Sequence, residues 1–461
     1  MFEKLFRKGK TPTKDEIAKI LNASPEALSQ FEEQYRAAEL KETPPDAPFV
    51  SPSVHSAAAD TEDIINRIVS ELLSETKGIR VKNGKAEPLS FTALSESAAP
   101  VTMEEISSLP EPDRPQLTGS LMKRDISEYC APMLVKFLLD YRKGKDPKER
   151  TLDYHMFRQG LDIQDLDPLM YAMLGANPTS MSHWLPALCR ANSGRDFFKI
   201  PDTTVIRVPL TLLQLSRLGY ETLTHTTLEI ADRYCRTAFD LKDDGDYFLK
   251  TGVFSNKFDF RNCRIRGEEI RDAGQYLLYI SSAAVEMASP LNQPSMYGAA
   301  TTNEWVVREF ISDPESDLTI YHGLPLRTEY RVFIDTDTDR VIGIAPYWDP
   351  ETMRHRFGNC SDKNDPDMVH DYITYSANEE KLMKRFHDNA DTVRSRVEEI
   401  LPALDLKGQW SLDVMQSGED FYLIDMAPIG VSALRQYVPK ELVHEADNWI
   451  PDLSKTERRQ K

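Results

Sequence analysis

No stretch of the chain approaches the ~18 consecutive apolar residues that a membrane-spanning helix needs. Although the N-terminus is basic, Phe2 and Leu5-Phe6 do not open into the apolar run of a secretory leader. Cysteine is scarce: Cys130, Cys189, Cys235, Cys263 and Cys360 are odd in number and lack CxxC spacing, which indicates neither zinc nor a disulfide framework and fits reduced thiols. Positive charge is also short. Against 74 acidic residues stand 56 basic ones, a net −18 that argues against broad binding to a nucleic-acid backbone or an anionic membrane. There is no GxxxxGK[ST] phosphate loop and no repeat of fixed period, so Walker-type nucleotide binding, solenoids and propellers are excluded. His155, His183 and His225 stand alone, without a second ligand three or four residues away, and are read as ordinary histidines. What remains is a cytoplasmic protein whose partners are small ligands and proteins.

At 461 residues, 40% of them hydrophobic, the chain has room for two or three domains with real cores. Residues 1–40 read as a small helical module, with Ile17, Ile20, Leu21, Leu28 and Phe31 near helical spacing. Residues 41–118 read as Pro/Ser/Ala-rich linkers around one helix, Thr61 to Glu75, and 119–196 as a helix-rich layer that includes Ile126 to Tyr141. From 197 to 436 short β-type runs alternate with helices, which predicts an α+β domain, and 437–461 reads as a polar tail. On this division the first 118 residues are dispensable for any site in the α+β domain.

Three segments of that domain can carry chemistry. Trp410 to Pro428 has the pattern of a β-hairpin; a three-residue turn, Gly418 to Asp420, pairs Gln416 near Tyr422 and sets Asp413 opposite Asp425, with side chains roughly 5 Å apart. Two carboxylates that close require a proton or a shared cation, and hard oxygen ligands suit Mg²⁺ held together with phosphates; a solvated outer face is the plainer alternative. Lys250 ends a strand and precedes a loop with Ser255 and Lys257, groups that can meet a phosphate, although a surface lysine would look the same. In Glu329 to Ile334, alternation puts Glu329, Arg331 and Phe333 on one face, where Arg331 either pairs with Glu329 or a nearby carboxylate or grips an anion. Trp305 to Ile311 is apolar enough for a central strand whose emerging backbone groups could read a base edge.

In order along the chain, these segments resemble the ATP-grasp superfamily, and within it the branch of the assembly chaperones for eukaryotic initiation factor two and their bacterial and phage relatives. The resemblance rests on a strand ending in Lys250 with Lys257 beyond it, the strand Val306-Val-Arg-Glu-Phe-Ile311, Glu329-Tyr-Arg-Val-Phe333 followed by Ile342-Gly-Ile344, and then Asp413-Val414 and Leu423-Ile-Asp425 with Pro428 and Gly430. It covers roughly residues 197 to 436 and implies two α+β lobes around a nucleotide cleft. It further implies that Lys250, Ser255, Lys257 and Arg331 contact the phosphates of ATP, with Lys250 and Arg331 in catalytic roles. Glu309, Phe310 and Ile311 would line the adenine pocket, and Asp413 with Asp425 would hold Mg²⁺. One position departs from the family pattern: where a last-strand Asn usually serves as a metal ligand, this chain has Ala427. The implied activity is ATP-dependent carboxylate–amine ligation through an acyl phosphate; the alternative is a non-catalytic ATP-binding adaptor that clamps a protein partner.

Overall fold

A computed structural model describes residues 61–91, 101–122, 146–289, 298–312, 318–359 and 366–444, together with 133–134, 136–137 and 140–141. The expected N-terminal module, most of the helix from Ile126 to Tyr141, and residues 445–461 lie outside these. Two sheets organise the described residues. The first is built from β1 (Lys77–Lys82), β2 (Lys85–Ser90), β4 (Thr203–Arg207), β5 (Asp246–Thr251), β6 (Arg264–Arg266) and β7 (Glu304–Glu309), in the order β2-β1-β4-β7-β5-β6 with every neighbouring pair antiparallel. The second has the order β11-β10-β12-β13-β3, from β3 (Phe198–Lys199), β10 (Glu329–Asp335), β11 (Arg340–Pro346), β12 (Gln409–Ser417) and β13 (Asp420–Pro428). Only its β13–β3 pairing is parallel. A small ribbon, β8 (Thr319–Ile320) with β9 (Leu324–Pro325), lies in the connection between them. The expected α+β class is what the structure contains.

The β1–β2 hairpin differs from the expectation of a linker. Its turn is Asn83-Gly84 with φ of 50° and 70°, both positive, the backbone of a two-residue turn whose twist matches its strands. β1 then pairs along β4, with Ile79 opposite Val205, and Gly78 is required there because a Cβ would sit 2.3 Å from the Val205 carbonyl oxygen. Residues Met103–Ser108 and Arg114–Met122 are also helical, the former opened by a reciprocal cap between Thr102 and Glu105. Composition had hidden these elements, because Pro, Ser and Ala are abundant between them as well as in them.

One face of the first sheet is covered by helices α1 (Thr61–Glu75), α3 (His225–Phe239) and α4 (Ala273–Ala288); Ile206, Leu249, Trp305 and Val307 join Ile64, Leu73, Tyr234 and Leu277 in this core. α3 and α4 cross closely at Gly274, where a Cβ would meet the Ala231 backbone at 2.2 Å. Val205 and Val306 point the other way, into a second core shared with Tyr330, Val332, Leu412 and Val414 of the second sheet, α2 (Met181–Asn192) and α5 (Pro366–Ile400). Phe386, Val393, Val397 and Ile400 form the stripe by which α5 covers that sheet. The start of the expected polar tail packs instead: Val438 is buried against Phe333 and Ile342, and the Tyr437 hydroxyl donates to Asp349 at 2.5 Å. None of the described helices is long and apolar enough to cross a membrane.

Candidate functional site

Strand alternation decides what faces the space between the sheets. In β5, Leu249 enters the helical core, so Lys250 points away from it; in β7, Val307 does the same and Arg308 points with Lys250. From the second sheet, Tyr330, Val332, Leu412 and Val414 enter the core under α5, which leaves Glu329, Arg331 and Asp413 on the opposite face. The result is an open cleft between the two sheets, with a cavity of about 110 Å³. Lys250, Ser255, Lys257, Glu309, Phe310, Ile311, Asp413 and Asp425, eight of the nine residues singled out in the sequence, line it. Arg331 does not line it and stands behind Asp413.

The hairpin brings Asp413 opposite Asp425 as expected, by a different route. The turn has two residues, Gly418-Glu419, because Ser417 pairs with Asp420 and Met415, not Gln416, pairs with Tyr422. A bulge between Asp413 and Val414 leaves Ile424 as the extra residue of β13 and restores the Asp413–Asp425 pairing. The two carboxylates are each matched by a cation. Arg331 lies directly across from Asp413 and donates to both its oxygens, Nε at 2.8 Å and Nη2 at 2.7 Å; the side chains are 12% and 7% exposed. Of the readings open to Arg331, the structure shows the ion pair with a nearby carboxylate, and that carboxylate is Asp413 rather than Glu329. Lys250 Nζ reaches from the first sheet to Asp425, 3.1 and 3.0 Å from its two oxygens.

Lys250 is 2% exposed, and burial pulls its ammonium below the ordinary lysine range against the opposing influence of Asp425. Burial alone would raise Asp425, but Lys250 and Arg308 outweigh it and hold this carboxyl below the usual range; its side chain keeps 39% exposure. Lys257 makes no ion pair among the described residues. Its ammonium lies 3.9 Å from the centre of the Tyr347 ring, and despite the opposing effect of burial, Tyr347, Glu329 and Asp413 raise its pKa. The loop that carries it is shaped by Asn256 at φ 48° and by the Cys263 thiol, which donates to the carbonyls of Ser255 and Asn256 at 3.0 and 3.3 Å. Gly252 is needed upstream, since a Cβ would come within 2.6 Å of Glu304 and Thr302 oxygens.

The end of β7 is less open than expected. The Glu309 and Phe310 N–H groups donate to the carbonyls of Asp202 and Asp246, and the Ile311 carbonyl accepts from Arg327 at 2.5 Å, so these three groups are not available to a base edge in this conformation. Phe310 itself is covered by Arg264, whose guanidinium lies 3.7 Å from the ring centre. Sequence reasoning did not single out Arg308, Arg327 or Tyr347. For Arg308 the signal was present: a charge inside the apolar run Trp305-Val-Val-Arg308, the same feature that marked Arg331. Glu329 was read only as a partner for Arg331. It lines the cleft, buried, with Oε2 lacking a hydrogen-bond partner among the described residues, and burial raises its pKa.

The donor set fits a phosphorylated ligand better than a metal. Lys250, Lys257, Arg308 and Arg327 supply cations, while Phe248, Phe260, Leu324 and Ile424 supply apolar wall. For Mg²⁺ the fit is poor: Asp413 and Asp425 each have both oxygens engaged, Ala427 offers a methyl group, and no group of three or more metal-type side chains is found among the described residues.

No family model matches the chain, and no curated protein matches it. Among solved structures, Cdc123 from Schizosaccharomyces pombe is similar at 14% identity over 57% of this chain and 89% of that one, with a TM-score of 0.34. A C-terminally truncated Cdc123 from the same organism is similar at 13% identity over 59% of this chain and 94% of that one, also with a TM-score of 0.34. Likeness at that level does not establish a shared fold.

Proposed function

We propose that the cleft binds ATP and that the chain works as a nucleotide-binding adaptor holding a protein partner. The observation that carries the reading is convergence: eight residues, chosen for phosphate, base and metal chemistry from separate segments, line one cleft between the two sheets. Its mixture of aromatic wall and convergent cations suits a base joined to phosphates. Binding to a protein is consistent with the net −18, which disfavours the polyanionic alternatives.

The adaptor reading is preferred to ligation because of what the second sheet offers the transferring phosphoryl. A ligase needs groups free to neutralise charge as it develops. Here the two cations given catalytic roles are both committed, Arg331 to Asp413 and Lys250 to Asp425, and residue 427 is an alanine. The experiment is calorimetric titration of the full-length chain with ATP, followed by ADP release over hours with Lys250→Met as the blank. Saturable binding without ADP above the blank is expected. ADP formed in proportion to a new amide, across a panel of carboxylates and amines, would establish the ligase instead.

A further inference from the structure

We infer that this cleft takes its polyphosphate ligand as the metal-free anion, with protein cations standing where a divalent ion would otherwise lie; the inference rests on the nucleotide reading of the cleft. Three observations lead to it. Asp413 is almost fully buried and its two oxygens are held by the bidentate Arg331 fork, so a metal there would share a carboxylate whose charge already compensates a buried guanidinium. Asp425 has both oxygens on Lys250. The next residue on its face is Ala427, since Met426 between them enters the core, and a methyl group donates nothing to a metal. Magnesium is bound through a few carboxylates plus phosphates, and here both aspartates are already held by protein cations; the buried Glu329 Oε2 has no hydrogen-bond partner among the described residues, but burial favours the neutral form of that carboxyl.

The cations are placed to act instead. Lys257, without an ion pair among the described residues, and Arg308, whose Nε donates only to the neutral Thr203 hydroxyl at 3.3 Å, both line the cleft. Lys250, paired with Asp425, lines the cleft beside them. An arriving phosphate competes with Asp425 for Lys250, and because Asp425 is the more exposed member of that pair, it can be left to water.

The test is equilibrium binding of ATP to the full-length chain in excess Mg²⁺ and in excess EDTA. Affinities within about threefold of each other are expected, and a weakening of about tenfold or more on chelation would overturn the inference while leaving the nucleotide reading intact. No binding in either condition would overturn both. Asp425→Asn provides the second arm: releasing Lys250 is expected to tighten binding in EDTA, whereas a loss seen in Mg²⁺ and absent in EDTA would mark Asp425 as a metal ligand and sink the inference.

Discussion

The two sheets were assembled from very different distances along the chain. In the five-stranded sheet, β10 with β11 and β12 with β13 are local antiparallel hairpins, β12 sets the second hairpin beside β10, and β3 arrives from upstream. The six-stranded sheet draws its edge hairpin from residues 77–90 and sets it against β4, and β4 in turn pairs with β7, Thr203 opposite Arg308. A sheet of consecutive strands advertises itself through alternation and turn residues. A sheet closed by remote segments depends on loop closures that leave no local mark in the sequence. The remote sheet brings Lys250, Arg308 and Glu309 to the cleft, and the local sheet brings Glu329, Asp413 and Asp425.

The comparison breaks most sharply at the edge hairpin. α1 and β1 bury Ile64, Ile65, Val69, Leu72, Leu73 and Val81. At about 1.5–3 kcal/mol per fully buried side chain, their removal costs on the order of 10 kcal/mol, which is as much as a whole domain's stability. Deleting residues 1–90 is therefore expected to abolish cooperative unfolding in urea, while deleting 1–60 preserves it. Equal melts for the two truncations would refute the structural role given to the hairpin.

The ion pairs come next. Asp413→Ala strands a buried Arg331 and should cost about 3–5 kcal/mol, whereas Asp425→Ala should cost about 1–2 kcal/mol, because Lys250 can give up its proton and water reaches that side. Urea denaturation of both variants measures the contrast, and a larger loss for Asp425→Ala would reverse the roles assigned to the two pairs.

A third test is confined to the helices over the six-stranded sheet. Burial raises Asp232 from 3.8 to about 6, although its carboxylate accepts from the Gln275 N–H and side-chain amide at 2.9 and 2.7 Å. A raised acid binds its proton more tightly when folded. Its contribution is therefore fully present below the unfolded pKa and is lost as pH climbs through the folded one. Wild type minus Asp232→Asn stability should fall by at most about 3 kcal/mol between pH 4 and about 6 and stay level above. A difference that rises across this window would contradict the assignment. The smallest effect is on the ligand: Lys250→Met should weaken ATP binding about tenfold with little change in melting, since Asp425 remains solvated.

Much of the cleft was legible because its residues lie on strands of the local sheet or at strand ends, where a charge interrupts an apolar alternation: Lys250, Arg331, Asp413 and Asp425 all show this, and Arg308 shows it too but went unread. The partners were not legible. Arg331 meets Asp413, not Glu329, because β12 lies beside β10, and no pattern within either strand says so. The Asn83-Gly84 turn was a readable hairpin signal lost in a Pro/Ser/Ala-rich background. The backbone groups after β7 were expected to be open and are closed by Asp202, Asp246 and Arg327, contacts set by tertiary packing.

The extra residue in β13 works as a parity switch. Phe421 and Leu423 lie in the apolar core, and unbroken alternation from them would carry residue 425 into that oily layer. Ile424 spends one residue out of phase, so Met426 takes the inward place and Asp425 with Ala427 turns outward. A carboxylate thus escapes dehydration through a count of residues in the chain, with no change in its own chemistry. Deleting Ile424 would remove the bulge and set Asp425 directly after Leu423, so the ladder would run unbroken with Asp425 still facing the cleft and Met426 still in the core.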